Sequence, residues 1–179
     1  LWALQLARRS DEDAVAIAGL VAPMLGDPAA GVRRRAAYAA GNLGLAALAP
    51  ELAKLTAAAE PSELRLAAYV ALGELGAAPP EMIANVRRET DPRVLGAASN
   101  ALIATSPAPD VLASLAGRAT QLLAAPDPRS REAGAEIAGL LGGAVPATAL
   151  VPLAADPAPS VRGAAVWALG KLGDAAGER

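Results

Sequence analysis

Two carboxylates four positions apart, Glu132 and Glu136, are the residues of this chain whose spacing best suits chemistry. On a helix that interval places both on one face, where each disfavours the other's charge and could lift a carboxyl pKa towards the range of a general acid. The simpler reading is a solvated acidic patch with Arg129 nearby. Nothing else in the chain supplies a catalytic partner. It has no His and no Cys, and its Ser and Thr residues stand in no nucleophile motif, so no enzyme is expected. The same two absences remove disulfides, thiolate sites and the commonest metal ligand, so neither a metal nor another cofactor is expected.

Arg33-Arg34-Arg35 and Arg87-Arg88 are the charge runs that suggest phosphate. Three consecutive residues on a helix point in three directions, which leaves Arg34 and Arg35 to face a ligand or solvent. With 16 basic and 18 acidic residues the net charge is -2, which argues against a dedicated nucleic-acid binder. No apolar run approaches the about 20 residues needed to cross a bilayer, and no signal-peptide pattern opens the chain. The expectation is a soluble protein, cytoplasmic by default. Because Leu1 replaces an initiator Met and falls in what reads as a helix under way, a piece of a longer chain or assembly is expected.

The elements that position these residues come from an internal repeat. The phrase from Val161 to Gly173 recurs with equivalent anchors at Val32, Leu64, Val94 and Ser130, giving intervals of 32, 30, 36 and 31 residues. A period of this size means units that bury their apolar faces only against their neighbours. Apolar residues fall at the anchor, +3, +4, +7, +8 and +11, one face of a helix read as the core, as in Val161, Ala164, Ala165, Ala168, Leu169 and Leu172. Ahead of each anchor stand Asp27-Pro28, Glu60-Pro61, Asp91-Pro92, Asp127-Pro128 and Asp156-Pro157, each read as a helix start. Gly44, Gly76, Gly142 and Gly173 are read as helix stops. Preceding helices are expected near 11–25, 46–58, 80–89, 109–124 and 146–155, with a bend or late start at Pro23 and Pro152.

The expected fold is therefore all-α, a single solenoid over 1–179 with about five helix pairs and an N-terminal remnant. Its approximate units are 1–9 (partial), 11–44, 45–76, 79–105, 109–142 and 145–173. The remnant is read from Trp2-Ala3-Leu4, which aligns with Trp167-Ala168-Leu169. Hydrophobic residues make up 54% of the chain but aromatics only 2%, so the core must be a thin layer of Ala, Leu and Val.

Asp-Pro followed by Val-Arg, Ala-Ala, Ala-Leu-Gly and Leu-Gly resembles the bacterial HEAT-repeat family, including the subgroup labelled after the phycobilisome lyases. The resemblance covers nearly the whole chain and is strongest at the anchors Val32, Leu64 and Val161. It implies a right-handed α-α superhelix, armadillo-like, with the second helix of each pair lining a concave side. It also implies an inter-repeat ladder of Asp27, Glu60, Asp91, Asp127 and Asp156 with Arg33, Arg65, Arg131 and Arg162, the Arg column being broken at Leu95. Its iron-dependent hydroxylase branch would require His, which is absent, and its DNA glycosylase branch a basic, aromatic face. Kinship with bilin lyases stays open.

On a 100-degree wheel the second helices leave open a strip whose central column reads Trp2, Tyr38, Val70, Asn100, Glu136 and Trp167. Tyr38, Asn100, Glu136 and Trp167, flanked by Arg34, are the expected contacts for a protein or peptide partner, because aromatic and Arg side chains dominate interfaces. The bland alternative packs the Trp residues at repeat edges. Gly41, Gly73, Gly96, Gly139, Gly163 and Gly170 on the flanking columns are expected to admit close approach by a neighbouring helix or ligand. The expected function is a non-catalytic interaction scaffold. A lyase-like or chaperone-like protein holding a pigment or small molecule is the second reading, and a structural spacer the third.

Overall fold

A computed structural model describes residues 11–177, with side chains placed for 13–173. Among the described residues every regular element is a helix. They run α1 (Asp11–Leu25), α2 (Ala30–Asn42), a 3-10 turn (Ala46–Leu48) leading into α3 (Ala49–Lys54), α4 (Ser62–Glu74), α5 (Pro80–Val86), α6 (Pro92–Ala104), α7 (Pro109–Leu123), α8 (Pro128–Leu140), α9 (Ala147–Leu150) leading into a second 3-10 turn (Val151–Ala155), and α10 (Pro159–Gly177). Trp2, Gln5 and the expected remnant over 1–9 lie outside the described residues.

The chain divides into two compact units, Leu1–Glu89 and Thr90–Arg179. In the first, α2 packs on α4, α1 on α2, and α3 on both α4 and α5. In the second, α8 packs on α6, α7 and α10, while α9 and its 3-10 turn pack on α10. The contact layers are built largely of Ala: Ala67, Ala68, Ala71, Ala135 and Ala138 are fully buried together with Leu72 and Ile137. Small side chains let helix axes come close, and many short contacts replace a few large ones. At three points, Gly41, Gly134 and Gly139, even a methyl group is too large. A Cβ on Gly41 would stand 2.8 Å from Ala71 Cα, and one on Gly139 would stand 2.9 Å from Ala168 Cα.

Helix ends follow local chemistry with informative departures. Gly44, Gly76 and Gly142 take positive φ of 62°, 61° and 56°. After α2 and α4 they close Schellman-type caps, Leu45 N–H donating to Ala40 O and Ala77 N–H to Leu72 O. Gly173, expected to stop a helix, instead lies inside α10, because Asp174-Ala175-Ala176 carry no breaker and the helix runs to Gly177. The acid-Pro pairs also behave in two ways. Asp91 and Asp127 cap α6 and α8 directly, accepting from Arg93 N and Ser130 N, with Pro92 and Pro128 as first helical residues. Asp27 and Asp156 stand five residues before their anchors rather than three, and accept from Ala29 N and Ala158 N in tight turns that delay the helix.

The remaining departures are modest. Pro23 lies within the last turn of α1 and Pro152 within the second 3-10 turn. The 46–58 and 80–89 segments are helical only to Lys54 and Val86. Val32, expected in the core, is 37% exposed. The long interval of 36 residues between Val94 and Ser130 accommodates α7, which at 15 residues matches α1 as the longest first helix.

Candidate functional site

At three of the five helix pairs, those anchored at Val32, Leu64 and Ser130, an arginine ties the pair to an acid further along the chain. Arg33 donates through Nη1 to the carbonyls of Asp27 and Pro28, in its own interhelix turn, and through Nη2 to Glu60 at 2.5 Å. Arg131 repeats the arrangement. Its Nη1 donates to Ala125 O and Pro126 O, and its Nε and Nη2 hold both oxygens of Asp156 at 2.7 and 3.0 Å. Arg162 reaches the carbonyls of Asp156 and Pro157. A guanidinium suits this place because its five donors form a rigid fork.

At the second unit of the repeat the acid differs from the one the columns single out. Arg65 donates to Glu60 O and grips Glu89 through Nε and Nη2, both at 2.9 Å. Both residues are buried, at 8% and 5% exposure. Glu89 stands two residues before Asp91, outside the aligned column, and its sequence signal is only that it ends an outer segment. Asp91 serves as a cap instead. The Arg131 guanidinium holds the Asp156 carboxyl below its ordinary pKa. Hydrogen bonding from Ser130, by its side chain and then its backbone, does the same for Asp127.

The strip residues separate into two places. Asn100 on α6, Glu132 and Glu136 on α8, and Trp167 on α10 line one groove of about 610 Å³ in the second unit. Its floor and edges are small: Gly96, Ala97, Ser160, Gly163 and Ala164, with Leu140. Trp167 is 43% exposed, and its ring rests where Gly139 lacks a side chain, since a Cβ there would stand 2.6 Å from Trp167 Cζ3. The Glu136 carboxylate lies against α6, with Oε2 3.5 Å from the position a Cβ on Gly96 would take. Partial desolvation of its carboxylate against α6, and to a lesser degree the charge of Glu132, holds the otherwise exposed Glu136 above its ordinary pKa. Neither carboxylate has a hydrogen-bond or ion-pair partner among the described residues.

Tyr38 lies elsewhere, in a groove of about 780 Å³ between α1 and α2 lined by Leu20, Met24, Val32 and Arg35. Arg34 is exposed on α2. Among the described residues no cluster of His, Cys, Asp and Glu could hold a metal, and no helix is long and apolar enough to cross a membrane. Chemically, the α6–α8–α10 groove offers an aromatic face, an amide and two unpaired carboxylates.

Helix pairs joined by arginine clasps define an α-helical repeat protein. The HEAT repeat family model matches residues 148–176, which span most of α9, its 3-10 turn and most of α10. Solved structures share the fold. An engineered protein aligns over 96% of this chain and 88% of its own with a TM-score of 0.57 and 16% identity. The complex of CpcE and CpcF of phycocyanin lyase from Nostoc sp. PCC7120 aligns over 87% of this chain and 65% of that chain, with a TM-score of 0.61 and 22% identity. No curated protein matches the chain. The fold is all-α and resembles HEAT-repeat solenoids.

Proposed function

We propose that the chain is a non-catalytic interaction scaffold that docks a segment of a partner protein in the α6–α8–α10 groove. The observation that carries this reading is Trp167, a large aromatic side chain left 43% exposed over a groove it shares with Asn100 and Glu136. Exposed Trp is costly to leave in water and is among the residues that most often anchor interfaces. The ladder residues Asp27, Glu60, Asp91, Asp127, Asp156, Arg33, Arg65, Arg131 and Arg162 have a structural role in this reading, since their hydrogen bonds are spent within the protein. Tyr38 and Arg34 belong to a second docking region in the first unit.

Peptides selected from a displayed random library against the intact chain test it. Binding of the selected peptides falls at least tenfold in Trp167→Ala and Asn100→Ala if the groove is the site. Unchanged binding in both variants, with helicity preserved by circular dichroism, overturns the reading.

A second reading has a specific support. The similarity in fold to the phycocyanin lyase complex favours a pocket that holds a pigment or other small molecule. A visible absorption band retained by the purified chain, or gained on adding a linear tetrapyrrole and lost in Trp167→Ala, would favour it over peptide docking.

A further inference from the structure

Two sets of acids in this chain have contrasting fates. Glu60, Glu89 and Asp156 each receive an arginine within the fold. Glu132 and Glu136 receive nothing from the described residues, although they share a groove with an exposed indole. We propose that this groove binds an arginine side chain of the docked segment, its guanidinium held between the carboxylates of Glu132 and Glu136 and the face of Trp167. The proposal rests on the docking reading above and names the chemistry that the groove selects.

Charge complementarity carries it. The lining contains two carboxylates and no basic residue, so the groove is negative with no internal counter-charge. Glu132 and Glu136 project from the same face of α8 one turn apart, about 6 Å between their Cβ atoms, which a planar fork of N–H donors can span. Asn100 adds an amide oxygen and Ser160 a hydroxyl on the opposing helices. Trp167 supplies a π face, and Trp is the best ring for a cation, Arg the more frequent cation on it. An ammonium would satisfy the charge but not the plane, since it presents a compact point charge that is more strongly hydrated. The raised pKa of Glu136 agrees with a carboxylate crowded by Glu132 and partly withdrawn from water, a state that an incoming cation relieves. The groove volume of about 610 Å³ accommodates an arginine and the backbone that carries it.

The test uses the full chain carrying Trp2→Phe, which leaves Trp167 as its one tryptophan. Eight-residue Gly/Ser peptides with a central Arg, Lys or citrulline are titrated while indole emission is followed. Citrulline keeps the shape of arginine without its charge. The Arg peptide is expected to shift Trp167 emission with saturation, the Lys peptide to bind several-fold more weakly, and the citrulline peptide at least tenfold more weakly. Glu132→Gln and Glu136→Gln, near-isosteric changes at partly solvated positions, should each weaken the Arg peptide several-fold, and together at least tenfold. Equal binding of Arg and citrulline peptides, or no loss in the double variant, overturns the arginine proposal. Neutral peptides that bind and depend on Trp167 would leave the docking reading standing while the arginine proposal falls. Library binders indifferent to Trp167 and Asn100 would remove both.

Discussion

Ser106 has φ of 52°, the one non-Gly residue with positive φ among those described. It stands twelve residues after its anchor Val94, the same interval that places Gly44, Gly76 and Gly142 after theirs. A left-handed conformation costs an L-residue roughly 1–2 kcal/mol and glycine almost nothing. Ser106→Gly is therefore expected to stabilise the protein by about 1 kcal/mol in denaturant unfolding, part of the gain being offset by the freedom glycine adds to the unfolded chain. The interval made this legible in the sequence, but the missing Gly at the third unit hid it. Glu136 shows the opposite mixture. Its place beside Asn100 and Trp167 follows from helical periodicity, whereas its lack of a counter-ion depends on which side chains other helices bring near. Its folded pKa is raised, so its contribution to stability is full below the unfolded value and is lost as pH rises through the folded one. Glu136→Gln should accordingly raise Tm at pH 7, and the difference should close below about pH 4.

The elements are held by what arginine does at their turns. The repeat predicts that acids and arginines recur, and helix geometry predicts which face they share. Neither predicts that Arg65 closes on Glu89, because that choice depends on where the end of an irregular segment falls in space. Glu89→Ala leaves a buried guanidinium without its acid and should cost about 3 kcal/mol by chemical denaturation. Asp156 and Asp127 have lowered folded pKa values, so the stability they confer is present above the unfolded value near about 4 and is lost as pH falls through the folded one. Thermal melts between pH 5 and 2 should show this acid limb, and Asp156→Asn should flatten it. The delayed starts of α2 and α10 had a sequence signal in the wider acid-to-anchor interval. The continuation of α10 through Gly173 had only the absence of a breaker beyond it.

For the whole molecule, a core of alanine layers distributes stability unevenly. Ala67, Ala68, Ala71 and Leu72 in α4 are fully buried, whereas no residue of the second 3-10 turn, Val151–Ala155, is buried. Amide hydrogen exchange should therefore protect α4 far more strongly than Val151–Ala155, and equal protection of the two would contradict a stability set by local packing. The all-helical repeat architecture was legible from periodicity, because each unit repeats one solution to burying its apolar face. The groove was legible only as a list of residues on one face, since its walls come from three helices whose spacing is set by Gly139 and the alanines around it.

Arg131 takes hold of its own turn with one nitrogen and of the following unit's aspartate with two others. A tandem copy of residues 127–155 inserted after Ala155 would present Asp127 to the original Arg131 and deliver the copied Arg131 to Asp156. Both fasteners would travel inside the duplicated stretch, so gene duplication can lengthen such a protein one module at a time without inventing a new junction.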